Sequence, residues 1–107
     1  MIKVTYYIGT YDKDTCEKEK SDTEIINSFD ELFENYTFQY ANGVYTMRGI
    51  KEKVKEQTFI ITTFVDDCTE TTLKTLHQIQ ENCNILKKEL NQETILVEIT
   101  KPEVMFL

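Results

Sequence analysis

Apolar and polar residues alternate with period two from the first residues of the chain. Ile2, Val4, Tyr6 and Ile8 fall on one side, and Lys3, Thr5, Tyr7, Gly9 and Tyr11 on the other. This is the pattern of a half-buried strand. Residues 12–20, Asp-Lys-Asp-Thr-Cys-Glu-Lys-Glu-Lys, carry no apolar periodicity and read as a charged loop. The period then changes. Ser21 and Glu24 stand at capping-box spacing, and Ile25, Ile26, Phe29, Leu32 and Phe33 follow on one helical face, with Asn35 as the stop.

Residues 36–47 are rich in β-formers but hold Asn42-Gly43 in their middle. That dipeptide favours a two-residue hairpin turn pairing 37–41 with 44–48. The alternative is one long strand, bent at a glycine bulge. The continuous strand is favoured because it completes a β-α-β-β-α-β order; the hairpin would add one strand. Residues 50–57 read as a mixed-charge connector. Residues 58–65, all β-branched or Phe, predict a central strand. Asp66-Asp67-Cys68-Thr69 ends it, with Asp67 and Glu70 at capping-box spacing for the next helix. Leu73, Leu76, Ile79 (or Gln80), Cys83, Leu86 and Leu90 predict the stripe of that helix, which Asn91-Gln92 closes. Ile95, Val97 and Ile99 alternate in a last strand. Pro102 ends pairing, and the apolar residues 104–107 require a cover.

This order predicts an α+β ferredoxin-like sandwich. Two helices pack on one face of a four-stranded antiparallel sheet, with the first and third strands at its centre. The helix-facing side takes Ile2, Val4, Tyr6, Ile8, Phe59, Ile61, Ile95, Val97 and Ile99. The other side carries Thr5, Tyr7, Tyr11, Thr58, Ile60, Thr62, Phe64, Leu96, Glu98 and Thr100. Outward Thr and Tyr suit a strand for β-propensity alone. They also suit a surface that meets a partner. Tyr7, Tyr11, Ile60, Phe64 and Leu96 are therefore the candidate binding residues of the open face, with a second copy or another protein as the expected partner.

Composition narrows the classes. At 107 residues the chain has the length of one domain. Nineteen acidic against twelve basic residues give −7, which disfavours nucleic acid as a partner. Eleven of the basic residues are Lys; Arg48 stands alone beside Gly49 and is the candidate anion contact. No stretch is long and apolar enough for a membrane span, and the N-terminal residues lack a signal-peptide layout, so a cytoplasmic location is expected. The Lys, Ile, Asn and Glu richness is that of AT-rich genomes, bacterial or phage. Cys16, Cys68 and Cys83 lack paired or metal-ligand spacing and read as three free thiols.

No catalytic set is recognised. His77, beside Leu76 at the border of the helical stripe, has no Ser or Asp placed to make a triad, and is at most the polar group of a pocket. Asp12, Asp14, Asp66 and Asp67 are placed by this reading near one sheet end, where they would suit a hard cation. Solvated loop ends are the preferred account. The expectation is no metal and no cofactor.

Tyr6-Tyr7-Ile8-Gly9-Thr10-Tyr11 resembles the first-strand motif of RNA-recognition domains. The third strand, Gln57-Thr58-Phe59-Ile60-Ile61-Thr62-Thr63-Phe64, departs from that family, with no basic-glycine start and isoleucines where stacking rings belong. Ile8-Gly9, Gly43-Val44-Tyr45 and Asn91-Gln92-Glu93 are similar to segments of short stand-alone ferredoxin-like proteins of uncharacterised bacterial and phage families. That resemblance implies a fold and no activity. The functional expectation is a non-catalytic acidic binding or regulatory protein, such as a phage or mobile-element inhibitor. The alternative is a small dimeric α/β-barrel-type enzyme or ligand-binding protein, with a cavity between sheet and helices and His77 or Tyr7 as its polar group.

Overall fold

The computed structural model describes residues 1–46, 52–66 and 71–107, with the side chains of Tyr45, Thr71 and Thr72 set aside. The elements run β1 (Ile2–Gly9), α1 (Asp22–Leu32), β2 (Thr37–Thr46), β3 (Lys53–Val65), α2 (Thr71–Leu90) and β4 (Leu96–Thr100). The four strands form one antiparallel sheet in the order β2-β3-β1-β4. This is the ferredoxin-like α+β arrangement, with β1 and β3 central.

The period-two pattern of β1 is expressed as burial. Ile2, Val4, Tyr6 and Ile8 are buried in the core with Phe59 and Ile61 of β3. From α1 come Ile25 and Phe29, with Phe33 just beyond its end; Phe29 meets Phe59 edge-on at 5.2 Å. The capping box predicted at Ser21 forms: its hydroxyl accepts the Glu24 N–H at 3.2 Å, and the Glu24 carboxylate accepts the Ser21 N–H at 3.4 Å. This satisfies two of the donors that a helix start leaves without partners.

Asn42-Gly43 makes no turn. β2 pairs with β3 without interruption from Thr37↔Thr62 to Thr46↔Lys53. β3 is correspondingly longer than the predicted 58–65, because residues 53–57, read as a connector, are strand. β1 pairs only with residues 58–65. The 53–57 half of β3 therefore forms a two-stranded ribbon with β2, and its Lys53, Lys55 and Glu56 fit the weak burial there.

The charged loop after β1 is also better held than its composition predicts. Asp12 Oδ1 accepts the N–H groups of Asp14 and Thr15 at 2.8 and 3.1 Å, and the Asp12 carbonyl accepts Cys16 N–H at 2.8 Å. Asn91, in the left-handed conformation after α2, donates through its side chain to Asp12 and Asp14 at 3.0 and 2.8 Å. Its carbonyl accepts Lys13 N–H at 3.0 Å. Gln92 N–H returns to the Lys87 carbonyl at 2.9 Å, closing α2 in a Schellman turn.

Residues 104–107 remain uncovered; Met105, Phe106 and Leu107 are among the most exposed apolar groups. No helix among the described residues is long and apolar enough to cross a membrane.

Candidate functional site: a cleft between the sheet and the second helix

The outer half of α2 departs from the predicted stripe. Leu73 is 72% exposed and Leu76 45%, whereas Ile79, Asn82, Leu86 and Leu90 are buried. The helix thus turns Asn82 inward, with half-buried Thr75 and exposed Gln78 at the cleft rim, and two leucines outward. An inward polar group beside outward leucines reverses the usual assignment, and such reversals concentrate at functional positions.

The polar face borders a cleft of about 450 Å³. Val4, Tyr6, Val65, Phe33 and Ile79 give it an apolar floor, and Glu34, Asn35, Lys74, Gln78 and Asn82 give it polar groups. Apolar walls with a few convergent polar groups at this size are the usual make-up of a small-molecule site. Tyr6 and Phe33 lie with ring centroids 5.1 Å apart, so two aromatic surfaces meet at the back.

Tyr6 reaches the site because β1 is the central strand and its side chain faces the helices. Its phenol is hydrogen-bonded to the Asn82 side chain. Gln78 Nε2 donates to Asn82 Oδ1 at 3.0 Å, which leaves the Asn82 amide nitrogen as the donor toward the phenol oxygen. Burial raises the Tyr6 pKa above its ordinary value, outweighing the opposing effect of the Asn82 hydrogen bond. Tyr6 is accordingly neutral at physiological pH and keeps an O–H to donate. Cys83, next along α2, is pushed up by burial and stays a thiol, not a nucleophilic thiolate. This set can bind, orient and pass a proton; the described cleft residues include no nucleophile–base pair.

The sequence-predicted residues are distributed differently. Tyr7, Ile60 and Leu96 are brought together on the open face, since Tyr7 faces Ile60 on one side and Leu96 on the other. Phe64 lies opposite Lys3, four residue pairs away, and borders the cleft beside α2 instead, while Tyr11 lies beyond the end of β1. Tyr7, Tyr11 and Leu96 border a second, half-open hollow of about 740 Å³ with Gly9, Gly43, Glu56 and Gln92. There the Glu56 carboxylate accepts Tyr11 N–H at 3.0 Å and lies where a Cβ at Gly9 would stand. Tyr7 donates to Glu98 at 3.3 Å, and that carboxylate raises its pKa.

His77 is exposed and borders neither hollow, so it is not the polar group of the cavity; Tyr6 with Asn82 takes that place. Arg48, Asp67 and Cys68 lie outside the described residues. The four-carboxylate cation site is corrected by the pairing: Ile2 faces Val65 while Gly9 faces Thr58. Asp66 and Asp12 therefore follow opposite ends of the β1–β3 ladder, roughly 25 Å apart at about 3.3 Å per residue. Among the described residues no three His, Cys, Asp or Glu side chains come together as a metal site.

The chain is thus a ferredoxin-like sandwich with a cleft beside its second helix. No protein-family model matches the chain, and no curated protein matches it. Solved structures share its fold, among them two of a phage SAM lyase. A phage SAM lyase in complex with S-methyl-5'-thioadenosine aligns with a TM-score of 0.70 and 16% identity, over 94% of this chain and 80% of that one. A phage SAM lyase in the apo state aligns with a TM-score of 0.66 and 17% identity, over 92% and 78%. This corrects the expectation of a non-catalytic inhibitor: the structural neighbours are an enzyme, and they weigh toward the enzyme or ligand-binding alternative.

Proposed function

We propose that this chain is a small enzyme or ligand-binding protein that takes a nucleoside-sized molecule in the cleft between the sheet and α2. The observation that carries the reading is the buried Tyr6–Asn82 pair of β1 and α2, extended by Gln78 at the cleft, beside two leucines of α2 that face outward. The fold shared with a phage SAM lyase makes SAM and S-methyl-5'-thioadenosine the first ligands to consider. The cleft's chemistry is compatible with them. The buried Tyr6 and Phe33 rings give the cleft an aromatic floor against which an apolar or planar group would rest. Asn82 and the Tyr6 O–H offer hydrogen bonds, and Glu34 and Lys74 offer charges of both signs for an amino-acid end. A cytoplasmic setting accompanies this reading and is supported by the free thiols of Cys16 and Cys83.

Calorimetric titration with each compound, and chromatography for S-methyl-5'-thioadenosine released from SAM, test the proposal. Binding is expected for the unaltered chain. Tyr6→Phe with Asn82→Ala should weaken it by about tenfold or more, about 1.4 kcal/mol. No heat with either compound and no release would overturn the ligand assignment.

A further inference from the structure

The outer edge of β2 stands apart from the rest of the molecular surface. In the order β2-β3-β1-β4 the strands β2 and β4 are the edges. An edge strand presents a row of N–H and C=O groups without ladder partners, and natural proteins blunt such edges with charge, proline or brevity. β4 is blunted in all three ways: it has five residues, carries Glu98, and runs into Lys101-Pro102. β2 is blunted in none. It has ten residues, none charged and none proline. It lies within residues 35–47, thirteen consecutive uncharged positions in a chain that is 29% charged. No longer uncharged run occurs in the sequence.

The side chains along this edge are aromatic or uncharged, with Tyr36 and Tyr40 tied at their hydroxyls to Asp30 and Asp22 of α1. Tyr36, Phe38 and Tyr40 form a ladder with centroid spacings of 6.2 and 6.3 Å. Phe38 and Tyr40 pack on Phe59 at 5.9 and 4.4 Å yet stay 43% and 44% exposed, and Val44 is 56% exposed. Each ring is covered from the sheet side and open along the edge.

We infer that β2 pairs antiparallel with β2 of a second copy of this chain, joining two four-stranded sheets into one. Charge selects the occupant. Two copies at −7 each repel. The β2 strand brings no charged side chain of its own to that approach, and the Asp30 and Asp22 carboxylates of α1 are engaged by its Tyr36 and Tyr40 hydroxyls. Symmetry agrees, because an antiparallel pair of identical strands closes on a two-fold axis. This inference stands apart from the ligand reading, since β2 contributes nothing to the cleft under α2.

Sedimentation velocity across the micromolar range tests it, with the full chain and with Asn42→Lys and Asn42→Glu, at an exposed position midway along β2. The expected result is a dimer for the unaltered chain. Each variant alone should dissociate at least about tenfold more readily. An equimolar mixture of the two should recover the dimer, because opposite charges then meet near the axis. A monomer at every concentration overturns the inference, as does Asn42→Lys dimerising like the unaltered chain while Leu96→Lys, on the open face, does not. Hydrogen exchange of the unaltered chain gives a reading independent of any variant: β2 amides should gain protection with concentration, and unchanged protection counts against the edge.

Discussion

Tyr36 and Tyr40 each donate to a carboxylate of α1, Asp30 and Asp22 respectively. Burial first and the carboxylate second push each phenol up to about 12. The fold favours the neutral phenol, so this contribution is complete below the unfolded value near ~10. It is lost as pH rises through about 12. Phenolate absorbance should show tyrosines ionising late, since Tyr36 and Tyr40 join Tyr6 and Tyr7 in being raised, and Tyr36→Phe and Tyr40→Phe should each remove one late step. Single residues also show where sequence reasoning stopped. Tyr6 was legible as a core-facing residue of β1, because period two leaves no second choice. Asn82 was not, although it stands three residues after Ile79 and four before Leu86, within the helical stripe. Leu73 and Leu76 drew the stripe to the neighbouring face. Local periodicity cannot choose between two faces when the sheet beneath one of them offers a polar partner such as the Tyr6 phenol.

At the scale of elements, the start of α1 was readable to the residue because capping is a local exchange of hydrogen bonds. Ser21→Ala should cost about 1 kcal/mol in a urea unfolding midpoint, the usual loss for a serine cap. β2 and β3 were readable in part. Asn-Gly carries a turn preference, yet the pairing of β2 with β3 on both sides of it overrides that preference here. Gly43 remains useful inside the strand, since a Cβ there would stand 2.9 Å from Thr58 Oγ1. The missed segment 53–57 has a different cause. A ribbon with solvent on both faces needs no apolar alternation, so its strand character is written in pairing and not in hydrophobic pattern. The first turns of the α2 stripe follow the same logic: Leu73 and Leu76 look like core from their spacing, yet both are exposed.

At the scale of the molecule, the α+β order and the two faces of the sheet were legible, apart from Thr5, expected on the open face and found buried, whereas the cleft was not. The face follows from register, while the cleft follows from where helices settle on a sheet. The same scale explains the loop of residues 12–20. Backbone N–H groups, that of Asp14 foremost, hold the Asp12 carboxyl below the ordinary aspartate value, aided by the Asn91 side chain. A depressed folded pKa gives stability that is present above ~3.9. That stability is lost as pH falls through the folded value. Urea midpoints measured from neutral pH to acid should therefore fall faster for the unaltered chain than for Asp12→Asn, whose side chain does not titrate in this range. The tie from Asp12 to Asn91 joins two connections that are some eighty positions apart in sequence. Lys13, Lys18 and Lys20 in that loop would pass for accessible cutting sites on composition alone. A protease needs several residues of extended, detachable backbone, and here the chain is already committed to its own turn and to the end of α2. The most hydrophilic segment of the protein is thereby among the harder ones to nick.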